Sequence, residues 1–144
     1  TFKRLAFFAA SQDGCIAPEQ WVDWLLSDGA WWLWASDTMR EVFRLLVLQG
    51  HRLAQPDRDR LEAAILSGPL REMYRDDLDP DRWQGLVERS VWLHLSKLNA
   101  SGLALSAAAT VRLEGLSRAY PQWQLAANER DEFSHWMSGT GDRL

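Results

Sequence analysis

Displaced by 52 residues, the sequence meets its own pattern: Trp31 falls on Trp83, Trp34 on Leu86, Phe43 on Leu95, Leu46 on Leu98, Gly50 on Gly102 and Leu53 on Leu105. Arg60-Leu61-Glu62 falls on Arg112-Leu113-Glu114, and Pro69 on Pro121. The shared positions are apolar at helical spacing, then a glycine, then a second apolar helix, then a proline. This reads as a long helix, a turn, a shorter helix and a stop, written twice. Units of that kind cannot bury their apolar faces alone and stack on their neighbours. The expected fold is therefore all-α, with six or seven helices: two helix-turn-helix units plus flanking helices in a short solenoid-like bundle.

The individual elements follow from periodicity and punctuation. Helix one is expected from about Phe2 to Ser11, with Phe2, Leu5, Ala6 and Ala9 inward and Asp13-Gly14 ending it. Pro18 opens a second helix carrying Trp21, Trp24 and Leu25, which Ser27-Asp28-Gly29 breaks. For the next segment two starts compete. Thr38 followed by Glu41 spells a capping box near residue 38, whereas the echo favours one helix from about Ala30 to Gln49 with Trp31, Trp34, Ala35, Met39, Val42, Phe43 and Leu46 inward; the echo is preferred. Pro56-Asp57 opens a helix with Leu61, Ala64 and Ile65 inward, stopped by Gly68-Pro69. Asp79 caps a helix with Pro80 in its first turn and Trp83, Val87, Val91, Leu95 and Leu98 along its stripe. Ser106 caps a helix ending before Pro121, and Asn128 caps a last one with Phe133, Trp136 and Met137. A single domain is expected over residues 1–137, with a flexible tail at 138–144.

Composition narrows the class. A chain of 144 residues with 47% apolar and 25% charged residues suits a globular domain. Nine tryptophans supply much of the area it can bury. A net charge of −4 argues against general nucleic-acid binding, which uses a basic face. One cysteine, Cys15, permits no internal disulfide and fits a reducing, cytoplasmic setting. No apolar run approaches a membrane span and no leader pattern opens the chain. It starts at Thr1 inside a helical pattern, so a fragment of a larger protein is expected.

No motif fixes a chemistry. Glu132 and His135 form one Glu-x-x-His, whereas a di-metal carboxylate bundle needs two such motifs and two further carboxylates. A small metal-dependent enzyme using Glu132, His135 and nearby aspartates is the alternative reading; a lone polar or capping histidine is the plainer one. Asp77, Asp79, Asp81 and Glu88 match calcium-loop spacing, but Arg82 stands where the loop needs glycine and Pro80 begins a helix. Helix capping by Asp79 and Asp81 is the better account. Cys15, His51 and His94 carry no framing that marks an activated nucleophile. No cofactor and no metal are expected.

Two surfaces invite a partner. Trp31-Trp32-Leu33-Trp34 cannot place all three indoles on one helix face, because each residue turns by about 100°. Trp31 and Trp34 share the core, so Trp32 points to a neighbouring helix or a partner. In the connector Leu70–Leu78, Arg71, Tyr74 and Arg75 could read an anion or a carboxylate, or simply pair with Asp76 and Asp77. Trp32, Arg71, Tyr74 and Arg75 are thus the candidate partner-binding residues, for another domain of a parent protein or a separate protein.

Two stretches also carry a resemblance. One is Gly68-Pro69-Leu70-Arg71-Glu72-Met73-Tyr74 with Asp79-Pro80-Asp81-Arg82-Trp83 and Trp92-Leu93-x-Leu95-x-Lys97-Leu98. The other is Tyr120-Pro121-Gln122-Trp123-Gln124-Leu125 with Asp131-Glu132-Phe133-Ser134-His135-Trp136 and Gly139-Thr140-Gly141. Together they cover about the last half of the chain. They resemble the C-terminal helical region, of unknown function, in large bacterial multidomain proteins that carry a sirtuin-like or P-loop NTPase module and are associated with phage defence. The resemblance implies a non-catalytic sensor, assembly surface or regulatory lid, with any enzymatic part elsewhere in the parent. It transfers no catalytic residue.

Overall fold

A computed structural model describes residues 2–12 and 16–124. They form six α-helices and, among the described residues, no strand: α1 Phe2–Ser11, α2 Pro18–Trp34, α3 Met39–Gln49, α4 Gln55–Ser67, α5 Pro80–Ala100 and α6 Ala107–Ala119. Tight 3-10 turns at Ser36–Thr38, Gly50–Arg52 and Arg71–Met73 join them. The all-α expectation holds. The helix expected after Asn128, the tail at 138–144, Cys15, Glu132 and His135 lie outside the described residues.

The largest departure from expectation is at residues 27–38. Instead of one helix from Ala30 to Gln49, α2 runs to Trp34 across a sharp break, and α3 starts at Met39. At the break Ser27 is extended, and Asp28, Gly29 and Ala30 are all left-handed, with φ of 56°, 67° and 68°. Gly29 takes that region freely and Asp tolerates it. Ala30 gains nothing there and carries strain of roughly 1–2 kcal/mol. The α3 start agrees with the position of the Thr38 capping box, but the box itself does not form. The Thr38 hydroxyl reaches back to the Trp32 and Ala35 carbonyls, each at 3.4 Å, and Glu41 faces Arg4 at 3.6 Å.

The other helix ends obey their sequence signals. Asp79 Oδ1 accepts from the Arg82 N–H at 3.0 Å, and Ser106 Oγ accepts from the Ala109 N–H at 3.3 Å. Gly68, at φ 81°, closes α4. The two shorter helices of the echoed units, α4 and α6, have bounds 52 residues apart at both ends. Their long helices do not correspond: α5 is continuous where the first copy is broken.

The core is centred on α3, which lies between α1 and α5; α4 packs on α2 and α5, and α6 packs on α5. Val42, Leu45 and Leu46 of α3 meet Val91, Leu95 and Leu98 of α5 in one buried cluster with Leu61 and Ile65 of α4. At Gly50, just past α3, the chain runs close to the end of α5: a Cβ there would stand 2.8 Å from Leu98 Cδ1 and from Ser101 Oγ. On α1 the expected stripe is rotated. Phe7 and Ala10 are buried while Leu5 is 69% exposed and Phe8 42%. The sequence Phe2-Lys-Arg-Leu-Ala-Phe-Phe-Ala-Ala contains two overlapping apolar stripes, and docking on α3 selects the one through Phe7 and Ala10.

Two buried polar joints fix the frame. The Glu62 carboxylate, on α4, accepts from both the backbone N–H and the hydroxyl of Ser106 at the start of α6. His94, on α5, is fully enclosed against Trp34 and Phe43, with ring centroids 4.3 and 4.9 Å away. Its Nε2 lies 2.9 Å from the Leu33 carbonyl and its Nδ1 2.9 Å from the Ser90 carbonyl. Leu33 is in the last turn of α2, where carbonyls lack helical partners. A neutral ring has one N–H for these two carbonyls; carried on Nε2, it satisfies an orphan acceptor and ties α5 to the end of α2.

Candidate functional site

The broken α2 and the connector before α5 meet at a cleft of about 150 Å³. It is lined by Trp31 and Trp34 of α2, by Ala35, Ser36 and Asp37 of the following turn, and by Met73 and Tyr74 of the connector. The break at residues 28–30 makes this possible. Only one helical turn follows it, so Trp34 drops into the core at 2% exposure while Trp31 stays 36% exposed at the cleft. The expectation that Trp31 and Trp34 share the core is corrected for Trp31.

The connector is held rigid from beneath. The Arg71 guanidinium donates to the carbonyls of Tyr74, Asp76 and Leu78, at 3.3–3.4 Å. It also lies over the Trp83 ring, 5.2 Å from the centroid. Trp83 in turn packs on Tyr74, centroids 5.5 Å apart. Arg71 is thus committed to folding the connector, and its cation serves as the clamp that presents Tyr74. Partial burial raises the Tyr74 hydroxyl above the ordinary phenol pKa, so the side chain is a neutral phenol at physiological pH. Arg75 pairs with Asp77 at 3.3 Å, both more than three-quarters exposed, an arrangement that contributes little stability.

Trp32 lies in the same turn as Trp31 and Trp34 but outside the cleft lining. It is half-buried, its Nε1 donates to Asp28 Oδ2 at 2.9 Å, and the Lys3 ammonium of α1 stands 5.4 Å from its ring centroid. Of the four candidates, then, Tyr74 lines the cleft, Arg71 supports it, Arg75 is a surface residue of the same connector, and Trp32 packs toward α1. Sequence reasoning passed over Trp31, Met73 and Asp37. The available clue was the Ser27-Asp28-Gly29 breaker, which cuts the register on which Trp31 had been assigned inward. Asp37, in the first turn of the 3-10 segment, is exposed, and its carboxylate has no partner among the described residues.

A second aromatic cluster is internal in character. Tyr120 stacks on Trp123 at 3.9 Å, Trp123 meets Trp92, and Arg89 lies over both indoles at 4.9 and 5.1 Å. The Tyr120 hydroxyl donates to Glu88. These contacts staple the chain beyond α6 back onto α5.

The aspartates of the calcium-like spacing are engaged otherwise. Asp79 caps α5, Asp81 sits in its first turn, and Asp77 pairs with Arg75. Among the described residues no group of three or more His, Cys, Asp and Glu is placed to hold a metal ion. No helix among them is long and apolar enough to cross a membrane. Comparison with protein-family models, characterised proteins and solved structures finds no match to this chain.

Proposed function

We propose that the chain is a non-catalytic helical interaction module that recognises a protein through the cleft between the broken α2 and the 70–78 connector. One observation carries the reading: the size and construction of that cleft. About 150 Å³ is well below the roughly 300–1,000 Å³ of sites that enclose whole small molecules. It is room for one side chain. Its walls come from two segments some forty residues apart, and aromatic anchors seated in such pockets dominate many protein interfaces. The resemblance of the 68–98 and 120–141 stretches to C-terminal regions of bacterial defence proteins supports the same role within a larger protein, as a sensor or assembly region of a defence NTPase. Catalysis belongs, on this reading, to other parts of the parent.

The test is affinity capture from the native cell, with wild type beside a Trp31→Ser, Tyr74→Ala double variant whose helix content and thermal midpoint match. A partner retained by wild type and lost with the variant supports the proposal. Equal recovery by both, or a catalytic activity that purifies with the chain and persists in the variant, refutes it.

A further inference from the structure

We infer that the outer face of α6 is a second docking surface, and that its occupant is a helix of a partner protein that arrives N-terminus first. The inference goes beyond the cleft and does not depend on it. Leu113, Glu114, Ser117 and Arg118 of α6, with Pro121 just past its end, line an open groove of about 720 Å³. Leu113 is half-buried and the other four are exposed. Neither Glu114 nor Arg118 has a partner among the described residues.

The chain carries a covered version of the same face. A shift of 52 residues sets α6 on α4, both 13 residues long, and sets Leu113, Glu114, Ser117 and Pro121 on Leu61, Glu62, Ile65 and Pro69. All four of the latter are buried. Leu61 and Ile65 belong to the cluster that includes Val91 and Leu95 of α5. Beside Pro69, a Cβ at Gly68 would stand 3.2 Å from Val87 Cγ1 of α5. The Glu62 carboxylate accepts from the N–H and the hydroxyl of Ser106, the cap residue of α6. On α4, therefore, these positions pack on the side of one helix and hold the start of another.

The start of a helix is what the α6 groove is equipped to take. The first turn of a helix offers N–H groups without helical partners and the positive end of its dipole. A Ser or Thr cap residue adds a hydroxyl donor. The Glu114 carboxylate, aligned with that of Glu62, is the matching acceptor. Arg118 stands one turn further along α6, placed to meet an Asp or Glu in the incoming first turn, where acidic residues are favoured. Leu113 and Pro121 supply apolar contact. Trp92 Nε1 donates to Ser117 Oγ at 3.2 Å and ties the groove to α5. Ser117 and Arg118 stand where α4 has Ile65 and Leu66, so the uncovered face keeps a polar margin. A carboxylate at its centre repels phosphate, which favours a protein over a nucleic acid or a lipid headgroup.

The experiment places a photoreactive benzophenone side chain at Gln122, beside Pro121 and exposed, in the chain expressed in its native cell. The same group at Gln20, exposed on α2, is the control, and cross-linked residues are mapped by mass spectrometry. The expected result is a cross-link specific to position 122 that falls in the first turn of a helix of another protein, with Ser or Thr at its cap. Glu114→Gln should reduce its yield about tenfold. Arg118→Glu should reduce it as well, and replacing the partner's first-turn acid by lysine should restore it. Both residues are exposed, and unchanged helix content and thermal midpoint verify that the variants stay folded. A cross-link into residues 125–144 of the same molecule, or into a second copy, overturns the assigned occupant. A cross-link to the middle of a helix or to a non-helical segment overturns the N-terminal approach. A yield no higher than at Gln20, or one unchanged by Glu114→Gln, overturns the docking surface.

Discussion

His94 makes stability depend on pH, with a sign set by its burial. Burial disfavours the charged ring and is the largest influence; the Ser90 and Leu33 carbonyls pull the other way, and the nearby Lys97 cation adds to burial. The net result lowers the His94 pKa from 6.5 to about 4. The unfolded chain therefore takes up a proton as pH falls through 6.5, while the folded chain does not until about pH 4. Stability supplied by the neutral ring is complete above pH 6.5 and lost between 6.5 and 4. With those two values, linkage gives a loss of about 2 kcal/mol between pH 7 and 5, rising to about 3 kcal/mol by pH 4. The assay is urea unfolding at half-unit steps from pH 7.5 to 4.5 for wild type and His94→Gln. The glutamine retains an amide donor for the Leu33 carbonyl and gains no proton. Carboxylates common to both proteins cancel in the difference, so the stability gap should close, or reverse, by about 2 kcal/mol as pH falls from 7 to 5. A gap that stays constant, or widens in favour of wild type, would mean that two facing carbonyls outweigh burial, and the reasoning fails.

Three further substitutions test the frame. Glu62→Ala strands the Ser106 N–H and hydroxyl at the α4–α6 joint and should cost about 1–3 kcal/mol, read as a lower urea midpoint with the slope unchanged. Gly50→Ala places a methyl 2.8 Å from Leu98 and Ser101 and should cost about 1–3 kcal/mol through overpacking; a neutral effect would show that the α3–α5 contact is looser than described. Ala30→Gly relieves a left-handed alanine at φ 68° and should stabilise by about 0.5–1 kcal/mol, the strain removed less the backbone entropy of glycine, seen as a thermal midpoint a few degrees higher.

Punctuation was more legible in the sequence than registration. Pro18, Asp79, Ser106, Gly68 and the pre-proline residue before Pro121 each act within a few residues, and the helices start or stop where they indicate. Facing is a tertiary matter. The α1 sequence supports two apolar stripes equally, and α3 chooses between them. Thr38 shows the same limit at a cap: the residue type is right, but the Trp32 and Ala35 carbonyls take its hydroxyl instead. In the connector, Arg71 and Tyr74 were visible as chemistry-bearing residues. Their division of labour was not, because it depends on Trp83, nine residues away from Tyr74 and on another element.

The break at Asp28–Ala30 connects these observations. At the residues that the 52-residue shift aligns with them, Pro80-Asp81-Arg82 begin an unbroken helix, whereas Asp28-Gly29-Ala30 form a strained left-handed run. A sequence under selection for packing alone would put glycine or asparagine at Ala30, or continue the helix. Strain of this kind persists where surrounding contacts over-determine it. Here they do: Trp32 bonds back to Asp28, Thr38 reaches the Trp32 carbonyl, and His94 holds the Leu33 carbonyl. Every one of those restraints acts on the single turn carrying Trp31 and Trp34. The outcome is that the two echoed tryptophans border the same tyrosine. Trp83 backs Tyr74 from α5, and Trp31 shares the cleft with it from α2. The echoed stretches thus differ in backbone where the cleft is built, at the break in α2. Ala30→Gly separates the two demands: it should raise stability, and if the strained turn is what aims Trp31, it should also weaken capture of the partner that the Trp31→Ser, Tyr74→Ala variant loses, while Val111→Ser does neither.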